Sequence, residues 1–194
     1  MKTVLIEIDG KKIKAPLGAA LLQVARQNDI DIPTLCYNEQ LEAVGVCRMC
    51  LVEVTKNKRS RLVASCVYPV EENLVVKTDS EKINKIRRMI VELLYPAVPE
   101  ELAQKYGPQS PRFVPEYADC TLCGLCVRYC AQIKKGNVAY FQGRGVDRHV
   151  ALIPELAEEC IYCSKCFNLC TGGLITGLYD KPEYQKLPSP ENKD

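Results

Sequence analysis

Eight of the twelve cysteines fall into two blocks that share one spacing. Cys120, Cys123, Cys126 and Cys130 recur at an offset of 40 as Cys160, Cys163, Cys166 and Cys170, so both blocks read C-x2-C-x2-C-x3-C. Three thiolates at i, i+3 and i+6 let a tight loop wrap one cubic inorganic core, each sulfur capping a different iron. The fourth cysteine starts the next helix, points away and ligates the neighbouring core. The expected ligand sets are therefore Cys120, Cys123, Cys126 and Cys170 for one [4Fe–4S] cluster, and Cys160, Cys163, Cys166 and Cys130 for the other. This exchange of fourth ligands leaves each cluster incomplete without both blocks. Ala131 and Thr171 stand where a proline commonly follows the fourth cysteine, which removes a turn signal and leaves the ligand count unchanged. Zinc sites pair two C-x2-C knuckles and have little use for a third cysteine in the same loop.

The remaining four, Cys36, Cys47, Cys50 and Cys66, are spaced C-x10-C-x2-C-x15-C. Four thiolates, two on each iron, can hold a [2Fe–2S] rhomb. The same four could close a tetrahedral structural zinc site, and spacing alone leaves both open. Gly45 lets the backbone approach an inorganic sulfide closely, and loop amides could then donate to the sulfurs and raise the potential.

Composition narrows the chemistry further. Hydrophobic residues make up 47% and charged residues 26%, as in a folded globular protein. The formal charge of +2 argues against a dedicated nucleic-acid binder. No apolar run approaches the length of a membrane span, and Glu7 falls where a signal peptide would need its apolar core. Cytoplasmic residence is expected, where thiols stay reduced and serve metals rather than disulfides. The single histidine, His149, excludes sites built on several imidazoles and reads as a surface or structural residue. No G-x-G-x-x-G follows a strand, no P-loop is present, and all twelve cysteines are assigned, so no thiol remains as a nucleophile. Nothing marks a site for flavin, nicotinamide, molybdenum or nickel. The pattern is that of a non-catalytic electron wire. NAD(P)H delivers hydride, so a flavin on a partner must split the electron pair. Twelve thiolates against three oxidised cores of about +2 each contribute about −6 and turn the net charge to about −4, which suits basic faces on redox partners.

The elements that must position these ligands are legible in part. Residues 3–8 alternate and are β-branched, Asp9-Gly10 is a two-residue hairpin signal, and Lys11 to Ala15 returns as a second strand. Ala19, Leu21, Leu22, Val24 and Ala25 predict an amphipathic helix over 18–28. Residues 51–55 and 61–67 predict a hairpin across the solvated turn Lys56-Asn57-Lys58-Arg59, and 74–78 a further strand. This order predicts an α+β fold in which one helix covers a mixed sheet. Ser80 is the expected N-cap of a helix to about Tyr95 whose stripe Ile83, Ile86, Ile90, Leu93 and Leu94 is expected in the core. Five prolines between Pro96 and Pro115 predict a stiff extended linker without a long helix. The expected divisions are 1–79, a helix and Pro-rich linker over 80–116, a second cysteine unit over 117–180, and a polar tail over 181–194.

The run Gly45-Val46-Cys47-Arg48-Met49-Cys50-Leu51-Val52-Glu53-Val54 resembles the G-x-C-R-x-C-x-V-E-V signature of one ferredoxin-like group. That group comprises the N-terminal part of the complex I 75-kDa-type subunit, the diaphorase small subunit of NAD-linked hydrogenases, and related formate dehydrogenases. Cys36 and Cys66 fit around the signature. Arg87-Arg88 with Val91-Glu92-Leu93-Leu94 resembles the group's following helix, and the double cysteine unit, with Cys123 to Arg128 and Arg144-Gly145, resembles its next domain. The resemblance covers residues 1 to about 180. It implies an N-terminal β-grasp [2Fe–2S] domain on Cys36, Cys47, Cys50 and Cys66, followed by a bacterial-type 2×[4Fe–4S] domain. It also implies partners: a flavin-containing NAD(P)H dehydrogenase subunit bearing FMN and NAD(P), and a hydrogenase- or formate dehydrogenase-type catalytic unit, electron-bifurcating ones included. The larger relatives carry a further [4Fe–4S] cluster on one His and three Cys, whereas residues 95–119 contain neither. Three clusters are therefore expected. A free-standing polyferredoxin shuttle and a zinc-binding structural or adaptor protein are the alternatives.

Overall fold

The computed structural model describes residues 2–113, 120–170 and 172. The expected polar tail 181–194, and residues 114–119 and 173–180 of the expected linker and cysteine unit, lie outside the described residues. Among the described residues, one compact unit holds 2–37, 43–93 and 100–113. A second holds 38–42, 94–99 and 120 onward.

In the first unit, β1 (Thr3–Ile8) and β2 (Lys11–Pro16) pair antiparallel in full register. Asp9 and Gly10 take φ of 48° and 82°, as a tight two-residue hairpin turn requires. A second hairpin joins β3 (Leu51–Lys56) to β4 (Arg59–Ala64), and β5 (Val75–Lys77) lies between β1 and β3. The order β2-β1-β5-β3-β4, with β1 and β5 parallel, gives the mixed sheet expected of a β-grasp. Alternation places Val4, Ile6 and Ile8 of β1 in one core with Val52, Val54 and Val76. Leu21, Leu22, Val24 and Ala25 of α1 (Leu21–Arg26) complete it.

The structure corrects several boundaries. α1 is shorter than 18–28 because Gly18 sits at φ +83° and Ala20 bridges Pro69 in extended backbone. β4 begins at Arg59, since the turn is only Asn57-Lys58, both at positive φ, and Lys56 pairs directly with Arg59. It ends at Ala64 because Val67 and Tyr68 both bond back to the Ala64 carbonyl, turning Cys66 off the ladder. Between Pro99 and Pro108 the chain forms a two-turn helix, α3 (Glu100–Tyr106), where an extended linker was expected. Those prolines flank the seven residues without interrupting them, and Glu100 and Glu101 suit its first turn.

The helix α2 (Glu81–Leu94) starts as expected, with Ser80 Oγ accepting from the Ile83 amide at 3.3 Å. Its buried face is rotated from the expected stripe. Ile83, Arg87 and Val91 line it, while Leu93 is 50% exposed. A buried guanidinium thus occupies the place that apolar periodicity assigns to a neighbour.

Glu92 near the end of α2 clasps Arg112. Arg112 Nε donates to Oε1 at 2.7 Å and Nη2 to Oε2 at 2.6 Å, and this holds the Glu92 carboxyl below the usual carboxylate range. A depressed pKa contributes stability that is present above the ordinary carboxylate pKa and lost as pH falls through the folded-state value. Glu92→Gln should therefore speed amide exchange in α2 of the iron-free chain at neutral pH. Its difference from the parent should shrink as pH falls through and below the ordinary carboxylate range. A constant difference across that range would assign the effect to shape instead of charge.

The second unit is smaller. α4 (Leu125–Tyr129) runs into one π-helical turn, Cys130–Lys134. A hairpin of β6 (Ala139–Gln142) and β7 (His149–Leu152) and a helix, α5 (Ala157–Cys163), follow. His149 is exposed, with Nδ1 facing the Asp147 carbonyl at 2.8 Å, in keeping with a surface residue.

Candidate metal centres

Cys50 directly precedes β3 and Cys66 closely follows β4. Leu51 pairs with Ala64 across the hairpin, so both cysteines emerge at one end of it. Their sulfurs lie 3.4 Å apart. Ser65 fixes this end, its amide and hydroxyl both donating to the Cys50 carbonyl, at 3.2 and 2.9 Å. Cys36 and Cys47 form a second pair linked by a thiol hydrogen bond. The loop turns at Gly45 (φ +63°), just before Cys47, and at Arg48 (φ +59°), between Cys47 and Cys50.

The Cys36 thiol donates to Cys47, which draws Cys47 down to about 6 against the opposing effect of burial; the amides of Met49, Leu35 and Cys36 reinforce the shift. Cys66 likewise draws Cys50 down to about 7, helped by its own amide and the Ser65 hydroxyl. Cys36 and Cys66 are pushed up by holding those protons and by burial. The two sulfur pairs form a two-plus-two array, and metal binding takes each cysteine as its thiolate, releasing protons. Two sulfurs per iron is the donor arrangement of a [2Fe–2S] rhomb. Among the described residues no group of three or more His, Cys, Asp or Glu side chains is arranged to hold a single metal ion.

Gly45 is required by its conformation. A Cβ there would meet Val67 Cγ2 at 3.1 Å, but Val67 is exposed and can yield, whereas the left-handed backbone cannot. Gly45→Ala should cost about 1–2 kcal/mol and lower the melting temperature of the loaded first unit by roughly 4–16 °C. Adding Val67→Ala should not restore it. Full rescue by that second change would make the contact the cause.

In the second unit a cavity of about 180 Å³ is lined by Cys130, Cys160, Cys163 and Cys166, with Tyr129, Val138 and Glu159 among its other walls. The structure thus brings Cys130 of the first block to three cysteines of the second. The Val138 amide donates to Cys130 Sγ at 3.1 Å, and the Leu122 amide to Cys120 Sγ at 3.3 Å. Burial pushes the Cys166 thiol up to about 12, reinforced by the charges of Cys160, Cys130 and Cys163. Cys126 is also pushed up by burial, then by Cys166, Cys123, Cys170 and Cys120. Cys166 and Cys126 therefore each have the other three members of their expected set as electrostatic neighbours, and Cys166 adjoins Cys126 between the sets. Buried thiolates this close repel one another, and a cationic core among them relieves that repulsion. The two loops repeat a backbone feature at the offset of 40: Gly124 at φ +71° and Ser164 at φ +42°.

Residues 1–81 match the family model described as a 2Fe-2S iron-sulfur cluster binding domain. The NADP-reducing hydrogenase subunit HndD of Solidesulfovibrio fructosivorans is 31% identical over 98% of this chain and 39% of its own length. The mitochondrial NADH-ubiquinone oxidoreductase 78 kDa subunit of Candida albicans is 28% identical over 88% of this chain and 28% of its own. The N-terminal domain is a [2Fe–2S] ferredoxin-like domain homologous to complex I and hydrogenase diaphorase-type iron–sulfur subunits. The fold agrees: a crystal structure of an NAD+-reducing [NiFe]-hydrogenase in the H2-reduced state superimposes with a TM-score of 0.65 at 26% identity. It covers 77% of this chain and 74% of that one. The chain spans well under half of the curated relatives it matches. The HndD alignment runs over 231 positions, more than the 194 residues here, so that relative carries additional residues inside the matched span. Beyond the ferredoxin-like domain, the second unit has cysteine blocks spaced like ferredoxin-type [4Fe–4S] motifs. Among the described residues no helix is long and apolar enough to cross a membrane.

Sequence reasoning did not find Arg87 as part of the ferredoxin-like site, although it noted the Arg87-Arg88 pair. Arg87 is 2% exposed, and Nε and Nη2 donate to the Met49 and Leu51 carbonyls at 3.2 and 3.0 Å, on either side of Cys50. The signal available was a charged residue at i+4 from Ile83 and i−4 from Val91, inside an apolar stripe.

Proposed function

We propose that the chain is a non-catalytic electron-transfer subunit of an oxidoreductase complex. Cys36, Cys47, Cys50 and Cys66 would hold a [2Fe–2S] cluster. Cys120, Cys123, Cys126 and Cys170 would hold one [4Fe–4S] cluster, and Cys160, Cys163, Cys166 and Cys130 the other. The observation that carries this reading is the grouping of twelve cysteines: two sulfur pairs on the β3–β4 hairpin and its loop, and two neighbourhoods in the second unit, one around a cavity. When bound, such clusters exchange one electron each. The protein's part is to hold the sulfurs, direct the Val138 and Leu122 amides at them, and keep water from the buried ones.

The partners proposed are a flavin-containing NAD(P)H dehydrogenase subunit on one side and a hydrogenase- or formate dehydrogenase-type catalytic unit on the other, in the cytoplasm. Relatives named as hydrogenase and NADH-ubiquinone oxidoreductase subunits support this, and so does the need for a flavin to split a hydride's electron pair. Anaerobic purification at native expression levels tests it. The expected result is a brown chain with about 10 iron and about 10 acid-labile sulfide, co-purifying with a flavoprotein and reduced by NAD(P)H only when that partner is present. A colourless zinc protein would refute the cluster reading. A lone iron-loaded 21.7 kDa species would refute the complex.

A further inference from the structure

We propose that Arg87 is the buried counter-charge of the [2Fe–2S] site, a positioning residue that raises the reduction potential of that cluster as well as clasping its loop. The inference rests on the [2Fe–2S] reading of Cys36, Cys47, Cys50 and Cys66. Arg87 lies on α2 and is almost fully buried. Its polar contacts are all neutral. Nε donates to the Met49 carbonyl at 3.2 Å, Nη2 to the Leu51 and Thr78 carbonyls at 3.0 and 3.1 Å, and Nη1 to the Tyr106 hydroxyl at 3.4 Å. The Tyr106 ring also lies 5.9 Å from the guanidinium carbon. Among the described residues no carboxylate pairs with it, whereas Arg112, Arg61, Lys56 and Lys2 each face a glutamate.

A buried, permanently charged guanidinium without a counter-ion is strongly destabilising. Two of its backbone partners, Met49 and Leu51, flank Cys50, one of the four candidate ligands of the site. Four thiolates on a [2Fe–2S] core carry net negative charge in the oxidised state and one more on reduction. A positive charge fixed beside Cys50 answers that deficit and favours the more negative, reduced form. The network continues outward, since Thr78 is itself held by Asp9 through its amide (2.8 Å) and hydroxyl (2.6 Å). The charge is therefore tied directly to the cysteine loop, to Thr78 after β5 and to Tyr106 of α3, and through Thr78 to the β1–β2 turn.

The test is a potentiometric titration of the full, cluster-loaded chain, followed by low-temperature magnetic resonance of the [2Fe–2S] signal. The [4Fe–4S] signals serve as internal controls. Arg87→Gln should move the [2Fe–2S] midpoint to a more negative value by at least tenfold in the one-electron equilibrium, about 59 mV. Arg87→Lys keeps the charge and should move it by less than threefold. Arg88→Gln removes the same charge from the exposed side of the same helix and should leave it unchanged. An unmoved midpoint in Arg87→Gln, or equal shifts in the Gln and Lys variants, would overturn the proposal. Should Arg87→Gln fail to retain iron, Tyr106→Phe decides. Losing the hydroxyl that accepts from Nη1 leaves the charge less neutralised, so the midpoint should rise, and an unmoved or lowered value overturns the proposal. A parent chain without any [2Fe–2S] signal would instead defeat the cluster reading itself.

Discussion

Replacing Cys130 and Cys163 together by alanine should remove no more iron than replacing either alone. Each single variant should fall from about 10 iron to about 6. If both cysteines hold one cluster, the second substitution has nothing left to remove, and about 6 remain. Cys130→Ala with Cys123→Ala should instead leave about 2, because that pair spans both clusters. An uncrossed arrangement, in which each block keeps its own four cysteines, reverses the two results. The expectation follows from the cavity that Cys130 shares with Cys160, Cys163 and Cys166, and from the charges that raise Cys166: Cys160, Cys130 and Cys163. Iron per chain, with the [2Fe–2S] signal as an internal count of intact first units, checks it.

Stripping the iron should unfold the second unit and leave the first largely folded. The first unit's core among the described residues has eighteen buried members, of which only Cys50 and Cys66 are ligand candidates. Fully buried side chains such as Ile8, Leu21, Leu22 and Leu74 each contribute about 1.5–3 kcal/mol, with or without metal. The second unit's core has eight, and three of them are Cys126, Cys160 and Cys166. Its other members, chiefly Val138, Val150 and Leu152, are too few to hold a loop-rich unit against chain entropy. Metal binding there supplies the folding free energy. Amide hydrogen exchange after anaerobic chelation should keep slow exchange in β1, β3 and β5 and lose it in β6, β7 and α4. Persistent protection in β6 and β7 would show a core that stands without iron.

The cysteine spacing carried most of the chemistry. Ligands in one cage must be close in three dimensions, and a tight loop achieves this only with short, regular gaps, so C-x2-C-x2-C-x3-C is legible without a fold. The first hairpin was legible for a similar local reason: Asp9-Gly10 supplies the two positive φ values itself. Boundaries were less so. A two-residue turn at Asn57-Lys58 could not be told from a four-residue turn by composition, because either satisfies a polar loop. The β6–β7 hairpin, four residues a side, gives too short a pattern for alternation to show.

What the sequence determined by itself is the set of local constraints: which thiols can share a cage, which turns close, and which stretch forms the α+β sheet. What only the tertiary structure decided is which side chains from distant segments meet. Apolar periodicity assigned the core face of α2 to Ile83, Ile86, Ile90, Leu93 and Leu94, of which only Ile83 is fully buried. The fold gave it to Ile83, Arg87 and Val91, with Arg87 bonded to carbonyls 36 and 38 residues away. The physical reason is that hydrophobic burial is additive along one helix and can be read locally. The burial of a charge is favourable only once its partners have arrived, and those partners belong to other elements.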